Sequence, residues 1–99
     1  MATLLIDDQR NLPADRVART CQEGIDALAE QHWDLVYLDH DLGDFSGVGG
    51  QEMTGYDIAC WLEQHPQHLP DRIEIVTSNP VGRRRIEAAL QKCRRRSQS

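Results

Sequence analysis

Tyr37-Leu38-Asp39-His40-Asp41-Leu42-Gly43-Asp44 is the stretch on which the reading of this chain turns. An apolar run, Leu35 to Leu38, gives way within six residues to three carboxylates and an imidazole. Such a run reads as a buried strand, and its polar end as the place where a sheet meets solvent. Packing does not ask for Asp-His-Asp there, because charged groups are costly to desolvate unless a metal, a partner or a substrate compensates them. The bland alternative is an Asp/Gly-rich turn that ends a strand.

A second stretch shifts that balance toward a site. Thr3 to Ile6 is another short apolar strand, and it ends at Asp7-Asp8. In an open parallel sheet, sites gather outside the carboxyl ends of the strands, where strand order reverses. If the two strands are parallel neighbours, Asp7, Asp8 and Asp39 converge. Clustered carboxylates either bind a hard cation or hold a proton, and for three of them Mg²⁺ or Mn²⁺ is the simpler solution.

Ninety-nine residues make one domain with one core. The N-terminal apolar run is too short, and lacks the basic flank, for a signal peptide. No segment is long enough to span a bilayer. Cys21, Cys60 and Cys93 are scattered and odd in number, which suits reduced cytosolic thiols better than a disulfide frame or a zinc site. The expected compartment is therefore the cytoplasm. The net charge of −5 hides an asymmetry. Residues 1–80 hold four Arg and fifteen acids; residues 81–99 hold six Arg, Lys92 and one acid, Glu87. An acidic body with a basic end reads as contact with a polyanion or as a solvated tail.

Outward from the two acidic ends, Arg16 to Arg19 around Val17 reads as a short strand. Thr20 caps a helix over residues 21–31, with Glu23 at the capping-box spacing and Ile25, Leu28 and Ala29 as its apolar face. Thr54 caps a second helix from Gly55 to about His65, with Asp57 at the same spacing and Ile58, Ala59 and Leu62 facing inward. Between them, residues 44–53 are a Gly-rich loop, read as a lid over the carboxylates or as a surface loop. Arg72 to Thr77 is a last strand. Pro80 starts a helix whose stripe is Ile86, Ala89, Leu90 and Cys93. Its free N-terminal amides, with Ser78, Asn79 and an Arg from 83–85, form a phosphate cradle; the alternative is an Asn-Pro turn before a solvated Arg face.

Leu-Leu-Ile-Asp-Asp, Tyr-Leu-Asp and Ile-Val-Thr-Ser together resemble three strand ends of a response-regulator receiver domain. The first helix has no room, since only about seven residues separate the acidic pair from the next strand, and the fifth strand with its Lys and the last helix are absent. Asp-Asp-Gln-Arg, Leu-Asp-His-Asp-Leu-Gly, Thr-Gly-Tyr-Asp and Ser-Asn-Pro-Val-Gly-Arg-x-Arg resemble a narrower group, the small cyclic-phosphate processing receiver-like domains. The resemblance implies a minimal flavodoxin-like α/β three-layer sandwich of about four parallel strands in the order 2-1-3-4, over residues 1–93, with a basic tail at 94–99. It implies metal-dependent opening of cyclic phosphates, such as 2′,3′-cyclic phosphate ends of RNA or a cyclic nucleotide.

On that resemblance Asp7, Asp8 and Asp39 hold Mg²⁺ or Mn²⁺. Arg10, Ser78, Asn79 and Arg83 bind phosphate. His40 protonates the leaving oxygen or activates water, and Asp41 orients it. Asp39 is either ligand or nucleophile. A non-catalytic module that binds a nucleotide, an RNA end or a protein is the competing reading. No membrane contact is expected. The oligomeric expectation is a monomer or a weak homodimer paired through the last strand's edge.

Overall fold

The computed structural model describes residues 2–9 and 11–97. Four short strands form one parallel sheet: β1 (Thr3–Ile6), β2 (Arg16–Ala18), β3 (Leu35–Leu38) and β4 (Arg72–Ile75). Their order across the sheet is β2-β1-β3-β4, the order expected from the sequence. Ile6 sits level with Ala18 on one side and Leu38 on the other, and Leu38 is level with Ile75. Three further hydrogen bonds carry the ladder one step past the strands: Asp7 N–H to Ala18 O, Asp39 N–H to Ile6 O and Val76 N–H to Leu38 O, each 3.0 Å. The strands therefore end together, and their polar successors emerge along one edge of the sheet.

Two helices link strands, α1 (Cys21–Glu30) from β2 to β3 and α2 (Gly55–Gln64) from β3 to β4, and α3 (Pro80–Ser97) follows β4. Thr20 and Thr54 both close full capping boxes, with Glu23 and Asp57 returning the bond to the cap residue. The basic segment expected as a tail from residue 94 continues α3 as far as Ser97. No helix among the described residues is long and apolar enough to cross a membrane.

One core lies between the helices and one face of the sheet. Leu4, Ile6, Val36 and Leu38 meet Leu28, Ile58, Leu62, Ile86, Leu90 and Cys93 there, all essentially inaccessible to solvent. Each fully buried Leu or Ile contributes about 1.5–3 kcal/mol before entropy is counted. Ala29, expected on the apolar face of α1, is exposed instead. The inward stripe is Cys21, Gly24, Ala27 and Leu28. It centres on Gly24, where a Cβ would stand 3.1 Å from side-chain atoms of Ile6 and Ile58. That close approach fixes the rotation of the helix and leaves Ala29 outside.

The opposite face of the sheet differs. Strand alternation sends Leu5, Val17, Leu35 and Tyr37 to it. The right-handed return from β1 to β2 carries residues 11–15 toward that side. As expected from its length, that connection carries no helix among its described residues. Leu5 is fully buried, while Val17 is 41% exposed.

β4 is the sheet's outer edge next to α3, and a groove of about 460 Å³ runs between them. Arg83, from the second turn of α3, donates to the carbonyl of Ile75 at 2.9 Å and to that of Thr77 at 3.4 Å.

Candidate metal and phosphate site

Two strands end in carboxylates, and the register makes them neighbours. Asp7, Asp8 and Asp39 each offer an oxygen, and these oxygens lie within 4.8 Å of one another. Asp7 and Asp39 are buried and Asp8 is half-buried. A cavity of about 440 Å³ opens over them, lined by Asp7, Asp8, Gln9, Asp39, Asp41 and Ser78. Gly43 closes one side. Its φ of +60° suits glycine, and a Cβ there would meet Asp8 Oδ2 at 3.1 Å.

Burial pushes the Asp39 carboxyl above its ordinary range, and the nearby Asp7 charge adds to the rise. A hydrogen bond with the Thr77 hydroxyl and the backbone N–H groups of His40 and Asp41 oppose it. The His40 N–H lies 2.8 Å from Asp39 Oδ1. Asp7 Oδ1 accepts the Gln9 N–H at 3.0 Å. Three hard oxygens at this spacing, one of them reluctant to stay ionised, match the donor set of Mg²⁺ or Mn²⁺. The residues present therefore fit such an ion.

The imidazole takes a different position from the carboxylates. His40 is buried, and its Nδ1 lies 2.9 Å from Asp41 Oδ1. Its ring packs against Gly82 in the first turn of α3, where any Cβ would collide with the ring atoms. Its Nε2 has no hydrogen-bond partner among the described residues. Asp41 stands on the cavity wall and His40 behind it. A second glycine holds this turn in place. The Gly55 N–H donates to His40 O at 2.9 Å, and a Cβ on Gly55 would strike the Asp39 carbonyl. The Thr-Gly opening of α2 thereby supports the Asp-His-Asp turn.

The expected phosphate residues separate. Ser78 lines the cavity. The Asn79 side chain caps α3, its Oδ1 accepting the Gly82 N–H at 3.1 Å. Arg83 turns to the edge of β4, as described above. Arg10 lies outside the described residues. The Gly-rich loop does not cover the acids: none of residues 45–53 lines the cavity. Its base is closed by an Asp44–Met53 bridge, and Asp44 accepts from the backbone N–H groups of Cys21 and Ser46, each at 3.0 Å. The loop is therefore tied to the start of α1.

Three contributors escaped the sequence reading of the site. Thr77 is the buried hydroxyl on Asp39, one residue before the Ser78 that was singled out. Gly82 shapes the seat of His40. Arg19, at the end of β2, donates to the Asp7 carbonyl at 3.2 Å and to Asn11 Oδ1 at 2.8 Å. Thr77 and Arg19 follow one rule, that residues at the carboxyl ends of neighbouring strands gather at the site; Gly82, in the first turn of α3, does not.

Comparison with curated proteins finds no match. The family model for the cyclic-phosphate processing receiver domain matches residues 2–92, nearly the whole of this 99-residue chain, and the chain belongs to that family.

Proposed function

We propose that this domain opens cyclic phosphate esters to monoesters, with a divalent ion held by Asp7, Asp8 and Asp39. The observation that carries the proposal is the convergence of three carboxylate oxygens within 4.8 Å under a cavity that also presents Asp41 and Ser78. Mg²⁺ or Mn²⁺ bound there supplies neutralisation of the charge on the phosphate oxygens. Ser78 donates a hydrogen bond to the phosphate from the opposite wall. Asp41 faces the substrate and handles the proton that must reach the departing ribose oxygen. His40 holds Asp41 through Nδ1 and acts as a positioning residue, one step back from the reacting atoms. Thr77 steadies Asp39 in a single rotamer.

The reaction adds one water across one P–O bond of the ring, and no redox partner is required. The test is turnover of a 2′,3′-cyclic phosphate with Mg²⁺ or Mn²⁺, followed by ³¹P NMR. Opening to a monoester is expected, and Asp8→Asn abolishes it. His40→Gln is expected to move the pH–rate profile and lower the rate by about 10²-fold. An unshifted profile at wild-type rate removes His40 from the mechanism.

One observation favours a second reading. The imidazole lies outside the cavity lining, which suits a module that binds a phosphate end without cleaving it. Metal-induced stabilisation without turnover of any cyclic phosphate would select that reading.

A further inference from the structure

The positive charge of the C-terminal region collects on one helix, and the buried stripe of α3 fixes which way it faces. Ile86, Ala89, Leu90 and Cys93 point into the core. At 3.6 residues per turn, Arg84, Ala88, Gln91 and Arg95 stand opposite them, flanked by Arg85 and Lys92. All six are exposed. The Arg85 guanidinium lies 4.3 Å over the Tyr56 ring, which holds it flat against α2. Glu87 is the one acid from residue 81 onward, and it lies toward the β4 groove. Glu63 of α2 borders the slot beside Arg85 and Lys92.

The track starts at the candidate site. Ser78 is on the cavity wall, α3 begins at Pro80, and Arg84 follows one turn later. From Arg84 to Arg95 the helix rises about 16 Å, room for about three consecutive phosphates of an extended strand. Residues 1–80 carry an excess of eleven negative charges, the fifteen acids less the four Arg. That balance disfavours a polyanion over the body as a whole and steers it to this helix. A membrane-binding face needs large apolar side chains to insert. Here the exposed apolar residues are Val81 and Ala88.

We infer that the outer face of α3 binds the phosphodiester backbone of single-stranded nucleic acid, leading its terminal phosphate to the acidic cavity. The placement of the terminus rests on the function proposed above; the track itself does not. It makes the domain selective for oligonucleotide ends over cyclic mononucleotides.

The test separates the two claims. A labelled single strand of about ten nucleotides, ending in a plain 3′-hydroxyl, is titrated in EDTA and followed by fluorescence anisotropy. Salt-sensitive binding is expected, with log K falling about 2 to 3 units per decade of salt, from four cations at about 0.7 each. The Arg84→Gln/Arg95→Gln double variant is expected to bind about 10-fold more weakly with a shallower salt slope, while Arg84→Lys/Arg95→Lys retains binding. Unchanged affinity in the Gln variant overturns the track. So does binding of phosphatidylserine vesicles in place of the oligonucleotide. Cyclic mononucleotide turnover on the same variants stays at the wild-type rate. If mononucleotides are opened but no strand binds, the track alone fails. If strands bind through Arg84 and Arg95 but nothing is opened, the catalytic reading fails and the track stands.

Discussion

Two carboxylate clusters lie at opposite ends of the same sheet, and they are chemically unlike. At the carboxyl ends, Asp7, Asp8 and Asp39 gather under a cavity. At the amino ends, Asp34 and Asp71 gather with His32, also within 4.8 Å. The second group is largely exposed and closes on itself. Asp34 accepts the Ala2 N–H at 2.7 Å, and His32 Nε2 lies 3.1 Å from Asp71 Oδ1. The two central aspartates move in opposite directions. The Ala2 hydrogen bond holds the Asp34 carboxyl below its ordinary range, whereas burial lifts that of Asp39. Carboxylate density alone therefore does not mark a site. What sets Asp39 apart is burial that its hydrogen bonds do not offset, a demand that a cation would meet.

The sharpest way to break this contrast is metal binding. At an ion concentration about 100 times Kd, binding adds about 2.7 kcal/mol, or roughly 10 °C or more in Tm for a domain of this size. Asp8→Asn is expected to erase that shift and the turnover together. Asp71→Asn is expected to leave both intact. A shift lost in Asp71→Asn and kept in Asp8→Asn would invert the assignment.

Gly82→Ala comes next. The added methyl meets the His40 ring, and overpacking of this kind costs about 1–3 kcal/mol in urea unfolding. Turnover should fall as His40 and Asp41 shift, even at temperatures where the variant remains folded.

Asp39→Asn reads the burial cost directly. A carboxyl whose folded pKa is raised favours the fold below its unfolded value and loses that contribution as pH rises through the folded pKa. At neutral pH the ionised group is a liability in metal-free protein. The substitution should raise Tm by roughly 4 °C or more, about 1 kcal/mol, while removing the metal response. Destabilisation in EDTA at pH 7 would contradict the contrast drawn here.

The smallest effect belongs to Asp44, a buried carboxylate with a purely structural role. Its hydrogen bonds, first from the Ser46 side chain and then from the Cys21 and Ser46 N–H groups, lower its pKa against the opposing cost of burial. Its contribution is present above its unfolded pKa and lost as pH falls through the folded one. Asp44→Ala should cost about 1 kcal/mol at pH 7, and the difference from wild type should narrow as pH falls below the ordinary aspartate value of about 3.9. Beside it, Cys21 has its thiol pushed up to about 12, first by burial and then by Asp57 and Asp44. It is a packing residue with no nucleophilic role at neutral pH.

What the sequence discloses and what it hides divide along the range of the interactions. Strands, capping boxes and the stripe of α3 depend on neighbours a few residues away, and all are legible. The meeting of Asp7, Asp8 and Asp39 is legible too, because parallel strands in register leave their ends nowhere else to go. The seat of His40 is not, since it is set by Gly82 more than forty positions later. Asn79 and Arg83 illustrate the same difficulty. Both types suit a phosphate, but the nearby backbone engages them first, as a helix cap and at the strand edge. Of the two readings open for the Gly-rich loop, lid or surface loop, the structure favours the second: Asp44 accepts the Cys21 N–H at the start of α1, and none of residues 45–53 lines the cavity.

The grip of Arg83 on Ile75 and Thr77 bears on how this small fold survives at high concentration. A bare marginal strand invites any extended chain to zip onto it and seed a fibril. One guanidinium parked across the outward carbonyls of Ile75 and Thr77 acts as a stopper against such growth.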